Sequence, residues 1–90
     1  MKLFSGSELF ELKATHGIPW DITLQHVISK GYTVNWTEFI DCARKNKWWD
    51  FQTLEAINFV LQDVIEDKNE VQEIITRMKL YILKNPHPEL

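Results

Sequence analysis

Apolar residues recur along most of the chain at three- and four-residue spacings, the period of a helix with one buried face. The breaks between these runs fall at Gly, Pro, Asn and Asp. Five helices are expected. The first covers about Ser7 to Thr15: Ser5 and Glu8 have capping-box spacing, Leu9 and Leu12 share a face, and Gly17 suits a left-handed C-terminal cap. The second opens at Pro19, whose missing N–H is not needed in a first turn. Asp21 lies near the positive end of its dipole, Trp20, Leu24, Val27 and Ile28 form a buried stripe, and Gly31 ends it. Asn35 with Glu38 forms the capping box of the third helix, with Val34 placed to staple against Phe39. Trp36, Phe39, Ile40 and Ala43 give that helix one apolar face to about Asn46.

Asp50 is expected to cap the fourth helix, whose apolar positions Phe51, Leu54, Ile57, Val60, Leu61, Val64 and Ile65 cover a wide sector and mark it as central. Asp67, Lys68 and Asn69 make the next turn, with Asn69 and Gln72 at capping spacing. Val71, Ile74, Ile75, Met78 and Ile82 then line a last helix that Pro86 stops. Alternation in residues 32–36 is too brief for a strand of any length. The expected fold is all-α, a compact bundle of four to five short helices, with residues 1–85 as one helical domain and 86–90 as a short C-terminal tail.

Ninety residues with 44% hydrophobic content, four Trp and five Phe suffice for one buried core. A net charge of −3 argues against a general polyanion binder, because nonspecific nucleic-acid affinity rests on many Lys and Arg contacts to phosphate. The single Cys42 forms no internal disulfide and no Cys/His pair has zinc spacing, so neither metal nor cofactor is expected. The opening MKLFSGSELF lacks a signal peptide's apolar core, and no apolar run approaches the roughly 20 residues that span a bilayer. A cytoplasmic protein without membrane contact is the expectation.

The candidate chemistry is sparse. His16, His26 and His87 are scattered, and no nucleophile elbow accompanies the hydroxyls and carboxylates, so no catalytic residue is expected. Asp63, Glu66, Asp67, Glu70 and Glu73 gather around the last turn, which lacks glycine and calcium-loop spacing. They suit a solvated face or a basic protein partner. Arg44, Lys45 and Lys47 precede Trp48 and Trp49, a mixture of cations and stacking rings that also serves single-stranded nucleic-acid binding. An indole pair at a helix junction commonly plugs a core, yet two consecutive indoles cannot share one helical face, so at least one is open to a partner. Phe59 lies off the Leu54/Ile57/Leu61 stripe, as secondary core or as an interface residue.

The stretch GSELFELKATHGIPWDITLQHVISKGYTVNWTEFIDCARK, residues 6–45, resembles a segment of alanyl-tRNA synthetases that follows their aminoacylation core. There the family reads as a helix ending in a Thr-Tyr-Gly-Phe-Pro-like turn, a helix start of Asp-Leu-Thr type, a glycine, and an extended link before a basic helix. Leu12, Thr15, Gly17, Pro19, Asp21, Thr23, Gly31, Val34 and Phe39 fall in register, while His16 and Ile18 replace the usual Tyr and Phe at the Thr15–Pro19 junction. The resemblance implies an RNA-binding module like that family's tRNA-recognition region, with Lys30, Arg44, Lys45 and Lys47 against phosphate. The family's ATP-binding motifs and its His/Cys editing site have no counterpart in these residues. From the residues themselves, the leading expectation is a small non-enzymatic protein-interaction or regulatory module, analogous at class level to phage or mobile-element accessory factors. Its candidate contacts are Trp48, Trp49, Phe59, Asp63, Glu66 and Asp67, and its partner is another protein or a second copy of the chain.

Overall fold

The computed structural model describes residues 2–87 as five helices and one minimal strand pairing. In chain order these are β1 (Leu3–Phe4), α1 (Gly6–His16), α2 (Trp20–Ser29), β2 (Thr33–Val34), α3 (Trp36–Lys45), α4 (Asp50–Val64) and α5 (Lys68–Lys84). The fold is an all-α bundle. Its two strands pair in parallel, Leu3 with Thr33 and Phe4 with Val34, so the brief alternation at residues 32–36 does mark extended chain. α5 ends ahead of Pro86, as expected, and residues 88–90 of the expected tail lie outside the described residues.

The most extensive helix contact is α1 against α3, and it is built at their N-termini. Gly6, the first residue of α1, lies so close to the start of α3 that a Cβ there would overlap the Asn35 carbonyl oxygen and the Phe39 nitrogen. Glu38 then reaches across instead of back. Its Oε1 accepts from Ser5 Oγ (2.9 Å) and from the Gly6 N–H (3.1 Å), while Ser5 Oγ accepts from the Glu8 N–H (3.2 Å). The expected capping box of α3 is therefore only half formed. Asn35 Oδ1 accepts from the Glu38 N–H, but the Asn35 N–H donates to the Phe4 carbonyl in the strand pairing (2.9 Å). That leaves the Glu38 carboxylate to neutralise two helix N-termini at once.

Beneath this crossing lies an aromatic cluster. Phe10 sits 5.7 Å from Phe39 and 5.4 Å from Trp48 between ring centroids, both edge-to-face, and Trp20 packs 5.1 Å from Phe39. Leu9, Leu24, Ile40, Ile57, Leu61, Val71 and Met78 complete the core. α3 and α4 each pack on three other helices, α3 on α1, α4 and α5 and α4 on α2, α3 and α5, but α3 is the more enclosed: it buries Phe39, Ile40, Cys42 and Ala43 within ten residues, whereas α4 buries only Thr53, Ile57 and Leu61 in fifteen.

Several local expectations are corrected. Pro19 is the N-cap of α2 and not its first helical residue, and Ile28 is exposed while Thr23 turns inward. Asp50 does not cap α4. It is the first helical residue after Trp49, and its carboxylate is engaged by Arg44. Asp67, not Asn69, caps α5, accepting from the Asn69 N–H (2.9 Å) as an Asx turn does. Gly17 matches its expected role, at φ 70° with its N–H returned to the Lys13 carbonyl.

Two glycine replacements separate close approach from backbone freedom. Gly6→Ala has backbone in the way, so α1 and α3 must move apart, and urea titration is expected to register a loss of about 2–4 kcal/mol. Gly17→Ala meets no neighbouring atom and suffers only from its left-handed φ, with an expected loss of about 1 kcal/mol. Equal losses at the two positions would contradict the close contact.

Candidate functional site

α4 turns Thr53, Ile57 and Leu61 inward, and Thr53 Oγ1 spends its proton on the Trp49 carbonyl (3.0 Å). The opposite side of the helix carries Phe51, Glu55, Phe59 and Asp63 at successive four-residue steps, which places them along one slowly turning ridge. Phe51 is 69% exposed and Phe59 79%, and Trp49, at the head of the helix, is 51% exposed. These are the large rings that the core leaves out. α4 contains Asp50, Glu55 and Asp63 but no Lys or Arg, and exposed Glu66 and Asp67 follow it.

Beside the ridge runs an open groove. Ala56 and Val60 of α4 form part of its floor, Phe51 and Phe59 stand in its wall, and Lys13 of α1 and Trp20 of α2 line its far side. Lys13 Nζ lies 5.1 Å from the Trp20 ring centroid, a cation–π contact that holds the lysine head at the groove. The Trp20 indole N–H is buried without an acceptor among the described residues.

The structure divides the sequence candidates. Phe59 and Asp63 share the outer side of α4, Trp49 is exposed separately at the N-terminal end of the helix, and Glu66 and Asp67 follow its C-terminal end, with the Asp67 carboxylate already used as a cap. Trp48 differs from Trp49 in its burial. It is half-buried against Phe10 and Trp20, so it plugs the core while its neighbour faces water. Their divergence arises in the non-helical link between α3 and α4, where Lys47 adopts a left-handed φ of 67°.

Among the basic candidates, Arg44 is committed. Its Nε and Nη2 each donate to the Asp50 carboxylate at 2.9 Å, and its Nη1 donates to the Asn85 carbonyl at 2.7 Å. One guanidinium thus joins the end of α3, the start of α4 and the end of α5, and the Asp50 hydrogen bond raises its affinity for the proton. Lys45 and Lys47 are exposed beside it, and Lys30 sits apart as the C-cap of α2. His16, Gly17 and Pro19 form the exposed corner between α1 and α2, with His16 as the last residue of α1.

Sequence reasoning missed Phe51 and Glu55 as surface groups, and missed Lys13 and Trp20 as the opposing wall. The four-residue alternation of phenylalanine and carboxylate was the available signal for the first pair. Lys13 and Trp20 join the groove only through tertiary packing.

The remaining titratable features are structural. Burial, followed by the nearby Glu11 carboxylate, pushes the Cys42 thiol up, which keeps it protonated and sheltered between α1 and α3. Tyr81 Oη donates to Asp41 Oδ1 (2.7 Å), and that hydrogen bond, with a smaller effect of burial, pushes the phenol up. Among the described residues no group of three His, Cys, Asp or Glu side chains is placed to hold a metal ion, and no helix is long and apolar enough to cross a membrane.

The Tyr81 shift has a definite sign. A phenol that holds its proton more tightly when folded contributes stability that is complete below its unfolded value of about 10 and is lost as pH rises through the folded value. Urea midpoints measured from pH 8 to about pH 11 are therefore expected to fall further for the wild type than for Tyr81→Phe. Parallel curves would remove the Tyr81–Asp41 contribution.

No protein-family model matches this chain, and neither a curated protein nor a solved structure matches it.

Proposed function

We propose that the chain is a non-enzymatic protein-binding module with a regulatory role, and that the outer ridge of α4 is its contact surface. The observation that carries this reading is the exposure of Phe51 and Phe59 on one side of α4, where both line an open groove. Burying a phenylalanine contributes about 1.5–3 kcal/mol, so two rings left in water on one helix, two steps of the ridge apart, form a reserve of binding free energy that folding has not used. Aromatic residues supply a large share of the energy in protein interfaces, and they concentrate it in a few positions.

The acidic character of the same face favours protein over nucleic acid as the partner. Carboxylates along α4 repel phosphate, and Arg44, one of the four basic residues on which a tRNA-binding reading rests, spends its guanidinium inside the fold. The ridge is also rigid, because its backbone belongs to a helix anchored along its inner face and clamped at its start.

A photo-crosslinking phenylalanine analogue at position 59, in the cells that make the protein, is expected to give a discrete protein adduct that the same analogue at Thr76 does not. The purified partner should bind the wild type and lose at least about tenfold in affinity to the Phe51→Ser/Phe59→Ser variant. Because both positions are exposed, urea stability should change by no more than about 0.5 kcal/mol. Adducts shared equally by both positions, or adducts with RNA alone, would refute the assignment.

A further inference from the structure

We infer that the α4 ridge takes a basic amphipathic helix of a partner protein, whose arginines stack on Phe51 and Phe59 and pair with Glu55 and Asp63. This rests on the ridge being the contact surface and adds the chemistry of what it contacts. Ring and carboxylate alternate along it at four-residue steps, about 6 Å of helix rise each. A guanidinium is the side-chain group that uses both neighbours at once. Its face stacks on an aromatic ring, and its edge donates two parallel hydrogen bonds to a carboxylate. Both halves of that chemistry already occur inside the fold, where Arg44 grips Asp50 through two nitrogens and Lys13 lies over the Trp20 ring.

The spacing suits a helical occupant. A helix repeats its side chains at the same three- and four-residue intervals, so one laid along α4 can offer cations to successive ring–carboxylate pairs while apolar residues enter the groove over Ala56 and Val60. Charge selects against the other occupants. A second copy of this chain presenting the same ridge would bring Glu55 and Asp63 against their own kind, with no Lys or Arg on α4 and, among the groove's lining residues, only Lys13, which is drawn onto the Trp20 ring, to set against them. Glu66 and Asp67 add two carboxylates beyond the end of the helix, against the one cation Lys68, whose Nζ is tied to the Gln62 carbonyl (2.8 Å).

Two dye-labelled synthetic helical peptides test this by fluorescence anisotropy, one with a Leu face flanked by Arg and one with Glu in place of every Arg. Wild type is expected to bind the Arg peptide at least about tenfold more tightly than the Glu peptide. Glu55→Arg/Asp63→Arg should invert that preference, and Phe51→Ser/Phe59→Ser should abolish binding of both peptides. All four positions are exposed, and circular dichroism checks that each variant is folded. Equal binding of the two peptides by wild type, with loss in the phenylalanine variant, overturns the inferred charge chemistry while leaving the contact surface in place. Unchanged binding in the phenylalanine variant overturns both. A failure of the Arg peptide to bind at about 1 mM, or sedimentation showing a dimer that the phenylalanine variant lacks, also overturns the inference.

Discussion

The bundle depends on α1 and α3 meeting at their first residues, where Gly6 leaves room for backbone to touch backbone. Two helix N-termini at close range bring together partial positive charges and unpaired N–H groups, an arrangement that is unfavourable unless an acceptor stands between them. Glu38 is that acceptor. It is free for the task because the short strand pairing has taken the Asn35 N–H, so two residues of β-structure decide how a helix is capped thirty residues away. The crossing also fixes the start of each helix, and with it the register that brings Phe10 against Phe39.

Once that pair is set, the remaining elements follow from the ring cluster. Phe10 and Phe39 present edges and faces that Trp20 and Trp48 complete, and each tryptophan brings its own segment onto the core: α2 through Trp20 and the link to α4 through Trp48. Arg44 then closes the far end by joining Asp50 and Asn85. α4 packs on α2, α3 and α5 through the sector that holds Thr53, Ile57 and Leu61, and a helix with apolar residues around most of its circumference therefore leaves Phe51 and Phe59, on the opposite side, in water.

Periodicity and punctuation made the helices legible, since five separate runs with capping residues at their borders leave little choice of element type. Gly17 and Pro86 were read correctly because their effects are local: a left-handed cap and a missing donor act on the nearest turn alone. Glu38, Asp50 and Asn69 were misread for a shared reason. Each has the spacing of a cap, and each cap position had a competitor whose claim depended on tertiary geometry: the strand for Asn35, Arg44 for Asp50 and the Asx turn of Asp67. The candidate surface was half legible. Phe59 stood off the inner stripe, but Phe51 was assigned to it, because an apolar sector wider than a core can cover does not reveal which edge will be left outside.

That uncovered edge is also well prepared for binding. Association loses side-chain and backbone freedom, and the loss is smaller where the contact groups already project from a fixed backbone. α4 meets this condition at three levels: Thr53, Ile57 and Leu61 pin its length, the Gln52 side chain accepts from the Trp49 N–H at its head, and the Arg44 pair holds its first residue to α3. Phe51 and Phe59 therefore bring rings with few rotatable bonds to a surface that does not need to reorganise. The same clamp explains why Arg44 serves the fold better than a polyanion would be served by it. Releasing its guanidinium to phosphate would leave the Asp50 carboxylate unpaired and loosen the helix on which the ridge stands.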